Sequence, residues 1–194
     1  DTKKGSPHIW GEMKIKNWLL NRSIAILFVT ILCSMSANAA RPGDVAPHWQ
    51  ATNFQGDVVS FPELVDGKPA VMIFWASWCS YCNAFMPYLK EIQKEYQDDI
   101  EIIAVNFREA EGGESDPDAY VRQTGINMMA IRDGEEIAAA YRVRFVPGLM
   151  VVGTDGIVSY RRGKTKLPAG KSIAELWSEQ VMEALDEQLD MGGC

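Results

Sequence analysis

Two cysteines three residues apart, Cys79 and Cys82, are the side chains of this sequence best suited to chemistry. They follow an apolar run, Ala70–Trp75, which is typical of a strand buried on both faces. Beyond it, apolar residues recur at helical spacing. These are Cys82, Phe85, Met86, Leu89, Ile92 and Tyr96. The order predicts that Cys79 lies at a helix N-terminus and Cys82 one turn further on.

That position predicts a specific reactivity. The free backbone N–H groups and the dipole at a helix start favour a thiolate. A thiolate exposed there attacks disulfides, and a second thiol one turn away resolves the mixed disulfide that forms. We therefore predict that Cys79 is the exposed nucleophile of a thiol–disulfide exchange reaction, and that Cys82 is the more buried resolving thiol.

Two other interpretations of the cysteine pair are non-catalytic. In the first, the cysteines are buried structural residues or half of a zinc site, but zinc usually takes four ligands. The chain has no second closely spaced cysteine pair, and its only histidines are His8 and His48. The second alternative is a non-catalytic chaperone that holds Cu(I) with the two thiolates and a methionine, since soft ligands suit that ion.

The first 40 residues have the order of a secretory signal peptide. Met13 precedes a basic segment, the apolar residues 24–33 and a small-residue cleavage box that ends at Ala39. The apolar segment is shorter than the about 20 residues that span a bilayer, although an uncleaved anchor is the alternative. The predicted organisation is upstream sequence at 1–12, a signal peptide at 13–39 and one domain at 40–194, in a periplasmic or other extracytoplasmic location.

Charge and compartment limit the partners. Residues 1–40 hold five of the 19 basic and two of the 26 acidic side chains, so residues 41–194 have a net charge of −10. That balance argues against nucleic acid as a partner. Outside the cytoplasm, a cysteine pair that reduces substrates must itself be reduced again after each reaction, which implies an electron donor at the membrane. Export also leaves Cys194 as an odd thiol, which permits pairing between molecules.

The pattern of residues 48–190 predicts an α/β fold. A hairpin of 48–54 and 58–61 precedes the central strand and the cysteine-bearing helix, which runs to about residue 97. The remaining elements are a strand at 100–107, a helix starting at Asp116-Pro117, a strand at 127–131, a short helix at 134–141, a hairpin of 148–152 and 157–160, and a helix at 172–190. This order gives a central mixed sheet flanked by helices.

Several motifs resemble the thioredoxin fold, and in particular its exported TlpA/ResA branch. Pro87 lies five residues after Cys82, and Val146-Pro147 precedes a strand where the family has its cis-proline. The leader at 42–47, the segments at 74–79 and 106–109, and the helical insert at 116–124 are similar to that branch. The resemblance covers about residues 42–190.

The resemblance implies an exported thiol–disulfide oxidoreductase that reduces protein disulfides, in cytochrome c or copper-protein maturation. Cys79 and Cys82 would be catalytic, and Trp78, Val146 and Pro147 would bind the substrate. The resemblance implies neither a cofactor nor a metal, and it leaves the oligomeric state open. Isomerase or oxidase activity is the alternative among enzymes.

The chain departs from the family at two proton-transfer positions. Ile73 stands where thioredoxins have a buried aspartate, and Phe85 where the TlpA/ResA branch has a glutamate. The dipeptide Ser80-Tyr81 is also unusual for the branch. These differences leave the reduction potential of the cysteine pair open, and with it the direction of electron flow. The potentials known for the fold run from about −270 mV to about −120 mV.

A group of basic residues stands out against the acidic body. They fall near the predicted cis-proline and the final hairpin, and form either a solvated face or a site for an acidic partner. They are Arg142, Arg144, Arg161, Arg162, Lys164 and Lys166.

Overall fold

The computed structural model describes residues 40–164 and 166–192. The predicted signal segment at 13–39 and Cys194 lie outside the described residues. Within the described part of the chain, no helix combines the length and the apolar character needed to cross a bilayer.

A five-stranded mixed sheet forms the centre of the fold, in the order β5-β4-β3-β6-β7, and β1 and β2 form a separate antiparallel hairpin. Strands β3, β4 and β5 are parallel, whereas β6 is antiparallel to β3 and β7 to β6. The strands are β1 Trp49–Thr52, β2 Val58–Phe61, β3 Ala70–Trp75, β4 Glu101–Asn106, β5 Met129–Ile131, β6 Gly148–Val152 and β7 Val158–Arg161. The helices are α1 Ser80–Tyr96, α2 Pro117–Thr124, α3 Glu135–Ala140 and α4 Ile173–Gly192. The predicted mixed sheet and N-terminal hairpin are confirmed.

Strand β3 is buried along its whole length because both faces of the sheet are covered. Alternate side chains point to opposite faces of a strand. Val71, Ile73 and Trp75 accordingly belong to the apolar cluster that includes residues of α1 and α4. Met72 and Phe74 belong to the cluster on the other face, with residues of α3 and of the hairpin strands. Two core layers therefore hold the strand that leads into the cysteine pair.

Helix α2 begins as its sequence predicts. The Asp116 side chain accepts a hydrogen bond from Ala119 N at 2.9 Å, and Pro117 occupies the first turn. Both are typical of a helix start. Tyr120 of this helix stacks on Trp75, with ring centroids 4.9 Å apart. The helical insert thus covers the end of β3, and Trp75 is a core residue as predicted.

The predicted start of β5 at residue 127 is wrong by two residues. The backbone of Asn127 is engaged by a side chain of α1 instead of a neighbouring strand. Its N–H donates to Gln93 Oε1 at 3.0 Å, and its carbonyl accepts from Gln93 Nε2 at 2.5 Å. Strand pairing with β4 therefore begins only at Met129, opposite Ile103.

The sheet register places the parts of the site side by side. Phe74 of β3 pairs with Gly148 of β6. Because the two strands are antiparallel, the end of β3 lies beside the start of β6. The loop from Ala76 to Cys79 therefore emerges next to Val146 and Pro147, which immediately precede β6.

Candidate active site

Cys79 and Cys82 form a disulfide at the N-terminus of α1, with their Cα atoms 5.2 Å apart. Cys79 is the N-cap residue, and its Sγ accepts a hydrogen bond from Cys82 N at 3.1 Å. The first turn of α1 contains no acidic residue. The backbone donors and the helix dipole at Cys79 Sγ therefore meet no opposing carboxylate within that turn.

Both cysteines are buried in this disulfide form. Cys82 has none of its surface exposed and is the deeper of the two, as predicted. The prediction that Cys79 is exposed is wrong here, since only 4% of its surface is accessible. Its sulfur is bonded to Cys82, and its side chain belongs to the same apolar cluster.

Trp78, directly before the nucleophile position, is 39% exposed. Its Nε1 donates to the Arg108 carbonyl at 2.9 Å, which fixes the ring against the turn that follows β4. A Cβ atom added at Gly112 in that turn would lie 2.1 Å from Trp78 Cδ1. The close approach explains why glycine occupies position 112.

Arg108 links the two loops that flank the disulfide. Its carbonyl holds Trp78, while its Nη1 donates to the Arg144 carbonyl at 2.9 Å. Glu111 orients the guanidinium by accepting from Nε and Nη2, each at 2.6 Å. The loop before β6 is therefore joined to the turn after β4 by one side chain, a function that its sequence pattern did not indicate.

Val146 and Pro147 lie at the edge of an open groove beside the disulfide, and the peptide bond between them is cis. We call this the flanking groove; its volume is about 850 Å³. Apolar side chains dominate its wall, and three of them are well exposed: Phe145 at 70%, Tyr81 at 58% and Leu167 at 47%. Trp177 of α4 lies at its base, where it is almost fully buried.

The basic residues near this groove have different roles. Arg161 is half-buried, and its guanidinium donates to the carbonyls of Ala40, Tyr141 and Arg142 at 2.7–3.0 Å. For Arg161 the interpretation as a solvated face is wrong, because its donors hold three backbone segments together. Arg162 and Lys164 instead line the flanking groove.

The two family carboxylate positions are fully apolar here. Ile73 and Phe85 have no exposed surface, and both share a buried cluster with Cys79 and Cys82. Phe85 lies edge-on to Trp177, with ring centroids 6.4 Å apart. Neither position supplies a proton acceptor to Cys82.

A carboxylate does lie next to the cysteine loop, but from an unexpected position. Glu109 Oε2 accepts from Ser77 N at 3.0 Å and from Asn106 Nδ2 at 2.6 Å, and Oε1 accepts from the Ser77 hydroxyl. Burial raises the pKa of Glu109, but hydrogen bonds from Ser77, Asn106 and Ser115 outweigh it and bring the pKa below its ordinary value. Glu109 therefore stays ionised and holds the loop two residues before Cys79.

The sequence contains only a partial signal for this cluster. The segment at 106–109 stood out as a family motif, yet Ser77 lies 32 residues from Glu109 along the chain. The contact arises because β4 runs parallel beside β3, so the loops that follow the two strands meet.

As for metals, the described residues contain no group of three or more His, Cys, Asp or Glu side chains that could hold an ion.

Comparison with known proteins places the chain in a family. Residues 42–161 match the family described as AhpC/TSA. The chain belongs to the AhpC/TSA family. Its curated relatives include the thiol-disulfide oxidoreductase ResA of Bacillus thuringiensis (strain Al Hakam), 30% identical over 149 residues and 76% of each chain. The thioredoxin-like protein YneN of Bacillus subtilis is 30% identical over 116 residues, 60% of this chain and 68% of the relative.

A solved structure confirms the fold of this AhpC/TSA protein. A thiol:disulfide interchange protein of the thioredoxin family from Chlorobium tepidum TLS matches 77% of this chain and 97% of its own, with a TM-score of 0.59 and 18% identity. The predicted ResA-like thioredoxin fold is therefore confirmed. The curated ResA relative identifies the protein as an enzyme, a thiol–disulfide oxidoreductase.

We predict that Glu109→Gln lowers the free energy of unfolding at pH 7 by about 1–3 kcal/mol, because its amide group faces buried donors. The pKa of Glu109 is lowered in the folded state. Its stabilisation is therefore present above the unfolded pKa and is lost as pH falls through the folded pKa. Urea unfolding across a pH series should show the wild-type advantage shrinking below about pH 4. Glu114→Gln, an exposed change in the same loop, should have little effect; an advantage that persists undiminished into acid would contradict the assignment.

Proposed function

We propose that this oxidoreductase is exported and reduces protein disulfides, with Cys79 as the nucleophile and Cys82 as the resolving thiol. The observation that carries the proposal is the position of Cys79 Sγ at the N-cap of α1, where it accepts from Cys82 N. The same donors stabilise a thiolate once the disulfide is reduced. No carboxylate in the first turn opposes that charge.

The proposed reaction transfers two electrons. The Cys79 thiolate attacks one sulfur of the substrate disulfide, forms a mixed disulfide and releases the other sulfur as a thiolate that takes up a proton. Cys82 loses its proton and attacks the Cys79 sulfur. This closes the Cys79–Cys82 disulfide and releases the second substrate thiol. A dithiol donor at the membrane would then return two electrons to the enzyme.

Trp78, Val146 and Pro147 are the proposed substrate-binding residues. Within the described residues, the backbone of Val146 has no hydrogen-bond partner, and Pro147 has no N–H to donate. An extended substrate segment can therefore pair with the Val146 N–H and carbonyl groups, as in strand addition. The exposed Trp78 ring, directly before Cys79 in the chain, would contact the same segment.

The proposed location is outside the cytoplasm, with a signal peptide at 13–39 and the domain at 40–194. The order of basic, apolar and small residues before Ala40 supports it. The proposed substrates are disulfides of apocytochrome c or of copper proteins under assembly. This assignment is supported by the similarity to ResA-type sequences.

Replacing the resolving thiol tests the roles of the cysteines and the location together. We expect Cys82→Ser to trap mixed disulfides through Cys79 in the exported fraction, because attack proceeds and release does not. Mass spectrometry should find the linkage at Cys79, and N-terminal sequencing of the trapped protein should start near residue 40. Equal trapping by Cys79→Ser would show that the assigned roles are wrong, and a retained 13–39 segment would indicate a membrane anchor.

The direction of electron flow is set by the reduction potential of the Cys79–Cys82 pair. A reductase is expected to have a potential nearer to about −270 mV, typical of thioredoxin, than to the about −120 mV of a strong oxidant. Equilibration with glutathione buffers, read by alkylation of the free thiols, measures it. A value at the oxidising end would replace the proposed reduction by oxidase or isomerase activity.

The missing carboxylates predict a slow second step. Cys82 must lose its proton in a fully apolar setting, so we expect resolution to be slow near pH 7 and to accelerate as pH rises. Phe85→Glu should speed the step at pH 7 and flatten its pH dependence, within the about 10²–10⁴-fold that acid–base assistance supplies.

Phe85→Gln is the matched control, because glutamine has nearly the same shape as glutamate but cannot accept the proton. Stopped-flow measurement of mixed-disulfide decay compares the variants, after thermal melting shows that each has folded despite the buried polar group. Rapid resolution by the wild type at pH 7, together with no gain in folded Phe85→Glu, would show that Cys82 loses its proton by another route.

A further inference from the structure

Arg162 occupies an unusual position in the flanking groove. Its Cζ lies 4.8 Å from the centroid of the Trp177 ring, so the cation rests on the aromatic face at the base of the groove. Its side chain is half-buried, and its Nε is fully buried without a hydrogen-bond partner in the described part of the chain. Its backbone N–H donates to the Leu149 carbonyl at 2.8 Å.

Several other cations among the described residues form ion pairs with a carboxylate. Arg108 pairs with Glu111, Arg132 with Asp118 and Lys171 with Glu179. No such carboxylate faces Arg162 among the described residues. Burial lowers the pKa of its guanidinium, and the opposing influence comes from Tyr160 rather than from an acidic side chain. Residues 41–194 have a net charge of −10, so this unpaired cation does not result from a general excess of positive charge.

Partial burial of a cation carries a free-energy cost unless a partner compensates. Stacking on Trp177 supplies part of that compensation, but it leaves the two terminal amino groups of the guanidinium, Nη1 and Nη2, available as a planar fork of donors. The group that matches this fork best is a carboxylate, which it binds with two parallel hydrogen bonds. Lys164, exposed at the same groove, adds a second positive charge.

The rest of the groove determines what accompanies the carboxylate. Tyr81, Phe145 and Leu167 present exposed apolar surface, and apolar patches of this kind mark contact sites. Tyr81 lies between the two cysteines, and Val146 and Pro147 line the same groove. A chain segment bound in the groove would therefore pass close to the disulfide.

We propose that the flanking groove selects protein substrates by a peptide segment in which an acidic side chain, paired with Arg162, lies close to the reactive cysteine and beside apolar residues. The inference rests on the proposed function, since the segment belongs to the disulfide substrate. Arg162 acts as a specificity residue: it sets which substrates are reduced fastest and takes no part in the electron transfer.

Pairs of disulfide-bridged peptides test the proposal directly. In each pair, one Asp is placed at a chosen distance from the reactive cysteine next to a leucine, and the partner peptide carries Asn there. The full-length protein is reduced with dithiothreitol and desalted, and the second-order rate constant of peptide reduction is measured. We expect the best-placed Asp peptide to react about tenfold faster than its Asn partner, as for a charge-assisted hydrogen-bonded pair.

Variants assign that preference to Arg162. Arg162→Met keeps the bulk on Trp177 without the charge and should bring the Asp-to-Asn ratio of rate constants to about one. Arg162→Lys should keep only part of the ratio, because it lacks the planar fork. Arg122→Met removes one exposed charge from α2, outside the groove, and should keep the full ratio. Should Arg162→Met fail to fold, Arg162→Lys decides, together with a decline of the wild-type ratio at high salt.

The outcomes separate this inference from the function on which it rests. If the wild type reduces neither peptide of any pair, the proposed function falls. If it reduces both at equal rates for every Asp position, or if folded Arg162→Met keeps the wild-type ratio, the inference alone is overturned. The same holds if light scattering shows a dimer that Arg162→Met dissociates, because the groove would then be occupied by a second copy of the chain.

Discussion

The burial of β3 on both faces is the constraint from which the whole site is positioned. Neither face of this strand can shift without disturbing one of the two core layers, so the point at which the chain leaves the sheet is defined. Antiparallel pairing with β6 brings Val146 and Pro147 to that point, and parallel pairing with β4 brings Arg108 and Glu109. The cysteine pair therefore lies between loops whose starting points are set by the sheet.

The strands set where the loops around the cysteine pair begin, and polar contacts then fix the conformation of those loops. Glu109 accepts three hydrogen bonds from Ser77 and Asn106, and Arg108 joins Trp78 to the loop before β6. These interactions fix the backbone that precedes Cys79 and the loop before β6 without placing a carboxylate in the first turn of α1. The site thus combines a rigid frame with a local field that favours the thiolate, which is the state that nucleophilic attack requires.

Much of the fold and of the site could be predicted from local sequence signals. The features that could not be predicted depend on contacts between residues far apart in the chain. The run of apolar residues in β3, the N-cap Asp116 and the cysteine spacing each act within a few residues, so their consequences could be inferred. The start of β5 could not, because Gln93 on another helix captures the backbone of Asn127. Nor could the burial of Cys79 or the role of Glu109, both of which depend on how distant segments pack around the disulfide.

Trp177 connects the apolar residue at position 85 with the flanking groove. Its ring receives the edge of Phe85, which stands at the glutamate position, and it also contacts Tyr81 and supports Arg162. A carboxylate at position 85 would bring a charge toward the ring that supports the groove cation, and would weaken the apolar contact that positions the ring. Loss of the carboxylate at position 85 and the presence of an aromatic base under Arg162 are therefore parts of one packing arrangement. The slow proton transfer that we predict at Cys82 would then follow from the same apolar core that forms the base of the proposed substrate groove.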